Sequence, residues 1–204
     1  MSGGAFVSRA GRKLDHALEA FDVSVDGLDC ADFGCNVGGF TDCLLRRGAR
    51  RVYAVDTGYG VLAYALRRDE RVVAMERTNA LHAEPPEGKV DLVTIDLAWT
   101  RQRVAIPAAL GWLRRGGRLI TLVKPHYETQ DDGGPERLVR GTLEPQEAAR
   151  VFERVRGSLA GLGAKPLAHV LSPITGGKST RAGRGNVEYL LLAEPAEAID
   201  QLIN

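Results

Sequence analysis

Residues Leu28–Phe40 read LDCADFGCNVGGF: an apolar run that reaches an acid, then a glycine turn, then the start of a helical pattern. The run from about Leu28 to Phe33 has the length of one buried strand, and Asp32 stands where that strand ends. Gly34, Gly38 and Gly39 allow the backbone to turn tightly against a ligand. After the helix a second strand, RVYAVDTGYG, again ends in an acid, Asp56. Strand, glycine loop, helix, strand and acid form the half-fold that binds a nucleoside at the carboxyl edge of a parallel sheet.

The turn does not suit a dinucleotide. The pattern G-x-G-x-x-G is absent, because Gly34 is followed by Cys35, Asn36 and Val37. An acid inside the turn would also repel a pyrophosphate, whereas it suits a ligand that carries an amino group and a sulfonium. S-adenosylmethionine is such a ligand, so the stretch points to methyl transfer. The plain alternative is a set of glycines that serves only the turn.

Composition narrows the class. A chain of 204 residues, 44% hydrophobic, can bury one core, and two full domains are not expected. No apolar run approaches the roughly 20 residues that span a bilayer, and MSGGAFVSRAGRK lacks a signal-peptide core. A cytoplasmic protein is the expectation. Cys30, Cys35 and Cys43 form no CxxC pair and have no matching histidines, so free thiols are expected and no metal; Cys35 could be open to oxidation. The net charge of +1 does not announce a nucleic-acid binder, yet 22 Arg stand against five Lys. They pair at Arg46-Arg47, Arg50-Arg51, Arg67-Arg68 and Arg114-Arg115, as solvated helix ends or as phosphate contacts.

In chain order, Ser8 is the expected N-cap of a first helix. Its stripe Leu14, Ala17, Leu18 and Phe21 would lie on the sheet with Lys13 just off it. Helices are expected at Gly39–Arg47, about Gly60–Arg68, about Gln102–Arg115 closed by Gly116-Gly117, and Glu144–Leu162. Strands are expected at Arg51–Asp56, RVVAME, VDLVTID ending in Asp96, RLITLV stopping at Lys124, KPLAHVL, and NVEYLLLAE with Glu188 inside it. Asn79 follows the third strand at the height of an adenine ring. The polar stretch Pro125–Glu144 reads as a lid or substrate loop. The sum is an α/β, doubly wound, seven-stranded sheet, mostly parallel, with an antiparallel last strand.

In this topology Asp96 and Lys124 flank the ligand crevice. A lysine at the end of a buried strand needs a partner, as does Glu188 in an apolar run. Lys13, Asp96, Lys124 and Glu188 could together hold a hydroxyl and accept its proton; the alternative is an ion-pair network that braces the sheet edge.

The segments SRAGRKL, DFGCNVGGFTDCLL, YAVDTGYG, ERTNA, TIDLAW, LVKPHYE, SPITGG and GNVEYLL resemble the FtsJ-like RNA 2′-O-methyltransferases, especially the TlyA branch of rRNA methyltransferases, also called hemolysins. The resemblance runs in order from about Val7 to Leu192. It implies a Rossmann-like class I methyltransferase fold, S-adenosylmethionine as cofactor and structured RNA, foremost rRNA, as substrate. The family's catalytic Lys-Asp-Lys-Glu tetrad falls on Lys13, Asp96, Lys124 and Glu188. Its cofactor motif falls on Asp32 to Phe40 and its ribose-binding acid on Asp56. By resemblance Lys124 takes the 2′-hydroxyl proton, Lys13 and Glu188 orient base and ribose, and Asp96 positions Lys124 and faces the sulfonium.

Two features depart from that branch. Its members carry an N-terminal RNA-binding domain, and this chain begins where that domain would end, so RNA affinity is expected from its own surface, from a partner, or from RNA already folded into a ribosome. TRQR after TIDLAW is unusually basic, so Arg101 and Arg103 either touch phosphate or start a helix. Lys178, Arg181 and Arg184 form the best candidate RNA clamp, with a merely mobile loop as the alternative. His126 and Tyr127 line the pocket, stack on a base or serve core or loop packing, and Trp99 and Trp112 read as packing residues. Two other readings stay open: a same-fold O-methyltransferase of a small hydroxylated molecule, and a non-catalytic ribosome- or RNA-binding protein that keeps the cofactor site.

Overall fold

The computed structural model describes residues 5–129, 138, 141–176 and 185–196. Helix α1 (Ala10–Ala20) leads to strand β1 (Asp29–Phe33), then α2 (Gly39–Arg46), β2 (Arg51–Val55), α3 (Tyr64–Arg67), β3 (Val72–Met75), β4 (Val90–Ile95) and α4 (Gln102–Trp112). The chain continues through β5 (Leu113–Val123), α5 (Pro125–Glu128), α6 (Pro145–Ser158), a 3₁₀ turn (Leu159–Leu162), β6 (Ala164–Leu171) and β7 (Tyr189–Pro195). The sheet has seven strands in the order β3-β2-β1-β4-β5-β7-β6. Neighbours from β3 to β5 pair in parallel, while β7 runs antiparallel to both β5 and β6. Six strands therefore point one way and β7 opposes them, as expected.

Successive side chains of a strand leave opposite faces, so the sheet carries two apolar layers. On one side Leu14 and Leu18 of α1 and Phe40 and Leu44 of α2 pack on Leu92, Ile120 and Leu122. On the other, Ile106 and Trp112 of α4 and Phe152 of α6 pack on Phe33, Val93, Ile95 and Leu119. Each such aliphatic or Phe side chain adds about 1.5–3 kcal/mol of apolar burial. Trp112 is fully buried edge-on to Phe33, with ring centroids 5.1 Å apart, and its indole N–H donates to the Ala83 carbonyl at 3.0 Å. Edge strand β6 alternates partly buried and exposed positions after buried Ala164 and tolerates Pro166, as an edge can. Among the described residues no helix is long and apolar enough to cross a membrane.

Several boundaries differ from the sequence reading, each for a local reason. Gly116-Gly117 does not close α4. The helix ends at Trp112, Leu113 already pairs with Val90, and the register then jumps so that Leu92 faces Arg118. Gly116, with φ +78°, therefore sits in a bulge of β5. Helix α3 is one turn, because Gly60 is at φ +69°, its N–H donates to Glu76 Oε1, and Arg67 bonds the Leu62 carbonyl. Arg9, not Ser8, is the first boundary residue of α1, and it is already helical; Ser8 Oγ accepts from the Ala10 N–H at 3.3 Å. Glu188 lies one residue before β7, although its carbonyl still accepts from the Ser172 N–H at 2.9 Å. At least one member of each arginine pair faces a local carboxylate: Arg46 meets Asp42, Arg47 meets Asp15 and Glu19, Arg50 meets Asp29, Arg67 meets Glu76 and Arg114 meets Asp91. Arg101 and Arg103 stand at the start of α4.

Candidate active site

The carboxyl ends of β1, β4 and β5 open on one crevice of about 360 Å³, closed on its other side by α1 and by the segment that leads into β7. Asp32 comes from β1. Asp96 and Lys124 are the residues that follow β4 and β5, and Pro125 ends β5 by opening α5 at its first position. Lys13 reaches in from α1, buried at 6% exposure, and meets Glu188 at 3%.

These groups form two ion pairs. Lys13 Nζ lies 2.5 Å from Glu188 Oε2, and Lys124 Nζ lies 2.6 Å from Asp96 Oδ1. Lys124 also donates to the Leu97 carbonyl at 3.1 Å, which fixes the ammonium at the end of β4. The α5 turn is latched at its far end as well, where Glu128 Oε1 accepts from the Gln102 N–H at 2.9 Å. Removal from water pushes the Glu188 carboxyl above its usual range, with the Lys13 ammonium opposing that shift. Next to Lys124, burial and the ammonium groups of Lys124 and Lys13 hold His126 down at about 4, so its ring is neutral near pH 7. His126 Nδ1 is buried without a hydrogen-bond partner among the described residues.

The glycine loop is tightly built. Gly34 has φ +84°, and a Cβ there would stand 2.8 Å from the Asp96 carbonyl oxygen. Gly39 has no room for a Cβ because Ser8 and Ala10 of the α1 start lie against it, and Gly38 faces Leu62 and Leu66. The glycines thus serve close approach between protein segments, and Gly34 and Gly39 also line the crevice where the sequence reading had placed a ligand. Asp32 is fully buried, and its Oδ2 accepts from the Thr41 N–H at 2.9 Å and the Thr41 hydroxyl at 2.7 Å. Burial pushes its carboxyl up to about 7 against those donors. Asp56 holds the loop from β2, accepting from the N–H of Asn36, itself at φ +48°.

Of the residues expected to bind cofactor, Asp32, Gly34, Asn36, Gly39, Phe40 and Asp96 line the crevice. Gly38 stands behind it, and Asp56 reaches it through Asn36. Asn79 does not line it: the residue is exposed and its side chain accepts from the Leu81 N–H at 3.0 Å. The candidate clamp Lys178, Arg181 and Arg184 lies outside the described residues. Cys35 is 4% exposed and burial pushes its thiol far up, which disfavours the oxidation that the sequence left open there. Trp99 corrects the sequence reading outright. It is 78% exposed, held at φ +60°, and leans on Tyr127 with centroids 4.7 Å apart. Its one advance signal was its place in the loop directly after Asp96.

The acids around the glycine loop and the nucleoside-sized crevice suit a cationic nucleoside, and the lysines beyond them suit a hydroxylated anion. The FtsJ-like methyltransferase family matches residues 6–142, and the chain belongs to that family, whose members take S-adenosylmethionine as methyl donor. Among its relatives, the 16S/23S rRNA (cytidine-2′-O)-methyltransferase TlyA of Mycobacterium tuberculosis is 43% identical over 190 residues, 92% of this chain and 68% of TlyA. YqxC of Bacillus subtilis is 41% identical over 190 residues, 91% of this chain and 64% of YqxC, so the chain spans about two thirds of these relatives. A solved structure of a Streptococcus thermophilus protein that carries a hemolysin name superposes with a TM-score of 0.85 at 35% identity, covering 97% of this chain and 70% of the other.

Proposed function

We propose that the chain methylates a ribose 2′-hydroxyl in structured RNA, foremost ribosomal RNA in the cytoplasm. The observation that carries this reading is the meeting of two lysine–carboxylate pairs, Lys13–Glu188 and Lys124–Asp96, beside the glycine loop in a single crevice. S-adenosylmethionine, when bound, supplies a methyl group made electrophilic by its sulfonium. Asp32, Gly34, Asn36, Gly39 and Phe40 would hold it, with Asp56 bracing the loop at Asn36.

Lys124, as the neutral amine, accepts the 2′-hydroxyl proton and becomes the ammonium paired with Asp96, a role in which a placed base contributes about 10²–10⁴-fold. Asp96 and the Leu97 carbonyl fix where Nζ stands, so that its lone pair and the ribose oxygen meet in one geometry. Lys13, held by Glu188, sets a second cation over the ribose and its phosphates. At the mouth, Trp99 and Tyr127 offer faces on which an unstacked base can lie.

The test supplies labelled S-adenosylmethionine with total RNA or isolated ribosomal subunits. The reading expects label in RNA that resists alkaline cleavage at one nucleotide. Transfer only to a small hydroxylated compound, or cofactor binding with no RNA labelled in any form, would overturn it.

A further inference from the structure

Glu188 is held on Lys13 by a device that the tetrad itself does not explain. Two residues before it, Asn186 exchanges backbone hydrogen bonds with Gly176, at 2.8 Å from the Gly176 N–H and 3.0 Å from the Asn186 N–H. The Asn186 side chain turns the other way. Its Oδ1 accepts from the Leu143 N–H at 2.9 Å, and its Nδ2 donates to the Gly141 carbonyl at 3.0 Å. One amide thus binds the carbonyl and the N–H of alternate residues, as a neighbouring strand would, and needs a donor and an acceptor together.

The fit around this contact is close. A Cβ at Gly176 would run into the Glu188 carboxylate, and one at Gly185 into the Gly176 carbonyl. Leu143 is buried against Ala148 and Val151 of α6, with Val187 packed on the same cluster. Gly141–Leu143, Gly176 and the approach to β7 are therefore joined at one side chain, and the joined unit ends on Glu188.

We propose that Asn186 is a positioning residue: it clasps segment 141–143 and Gly176 to the chain that carries Glu188, and so keeps the Glu188 carboxylate on Lys13. Its link to rate rests on the proposed 2′-O-methyl transfer; the clasp itself is tested without it.

The experiment compares the full chain with Asn186→Ala. Amide hydrogen exchange at Leu143 and Gly176 should quicken, and the carboxyl titration of Glu188, followed by carbon NMR, should move. With RNA and cofactor, the single-turnover rate should fall by about ten- to a hundredfold while affinity for S-adenosylhomocysteine holds. Asn186→Asp keeps the acceptor for Leu143 and loses the donor to Gly141. It should show the same changes at smaller size, and it serves if the alanine variant fails to fold. Unchanged exchange at Leu143, or quickened exchange with an unmoved Glu188 titration and rate, overturns the proposal. If the wild-type chain labels no RNA, the proposed reaction fails while exchange and titration still decide the clasp.

Discussion

Replacing Lys13 with methionine leaves the Glu188 carboxylate, 3% exposed, without the ammonium that now lies 2.5 Å away. Removing one member of a buried ion pair costs about 3–5 kcal/mol, because the survivor is an uncompensated charge. Glu188 can escape that cost by taking a proton. Burial already raises its folded pKa above the ordinary value of 4.5, and loss of Lys13, which pulls it down, raises it further. The variant's native state then binds more protons than its unfolded state at any pH between 4.5 and that raised value, so its stability falls as pH rises through the window. Lys13→Met should therefore approach wild type near pH 4.5 and fall increasingly behind it as pH rises above that, by urea unfolding followed by circular dichroism. Lys13→Met combined with Glu188→Gln should recover most of the loss at pH 8. A deficit that does not change with pH, or a double variant no better than the single one, would refute the reasoning.

Three further outcomes follow from the glycine loop and the mouth. Asp32 folds with a carboxyl near 7 against an ordinary 3.8, so its protonated form stabilises below about 4 and that stability is lost as pH rises through about 7. The difference is worth about 4 kcal/mol, and Asp32→Asn should flatten the fall in melting temperature over that range. Gly34→Ala places a methyl 2.8 Å from the Asp96 carbonyl oxygen at φ +84°. It should cost about 1–3 kcal/mol by urea unfolding. Trp99→Gly relieves a left-handed backbone and removes an exposed ring, so stability should hold within about 0.5 kcal/mol. In a filter-binding assay its RNA affinity should weaken by about 1–3 kcal/mol.

The parts of the fold that were legible are those written in periodicity and in costly residues. Leu14, Ala17 and Leu18 announce a buried helical face, and the apolar runs around Ala31 and Val93 announce central strands. Lys124 and Glu188 were legible because a charge in or at the end of an apolar run demands a partner, although neither identified that partner. What stayed hidden depends on tertiary approach. Gly116-Gly117 reads as a helix stop until β4 draws Leu113 into the sheet. Gly34 reads as a turn against a ligand, and only the packing of β4 reveals that the Asp96 carbonyl also stands against it. Asn79 carries an adenine-contacting type at a plausible height, yet its side chain closes its own turn on Leu81. Trp99 looks like core by composition, and only the path of the loop after Asp96 turns it outward.

The most direct test of the account asks whether Lys124 does chemistry or merely braces Asp96. Lys124→Met should be compared with wild type in single-turnover methyl transfer to ribosomal RNA, with S-adenosylhomocysteine affinity measured on the same samples. The account predicts a rate lower by about 10²-fold or more, with cofactor affinity retained. Transfer that persists at the wild-type rate in a folded, cofactor-binding Lys124→Met would contradict it.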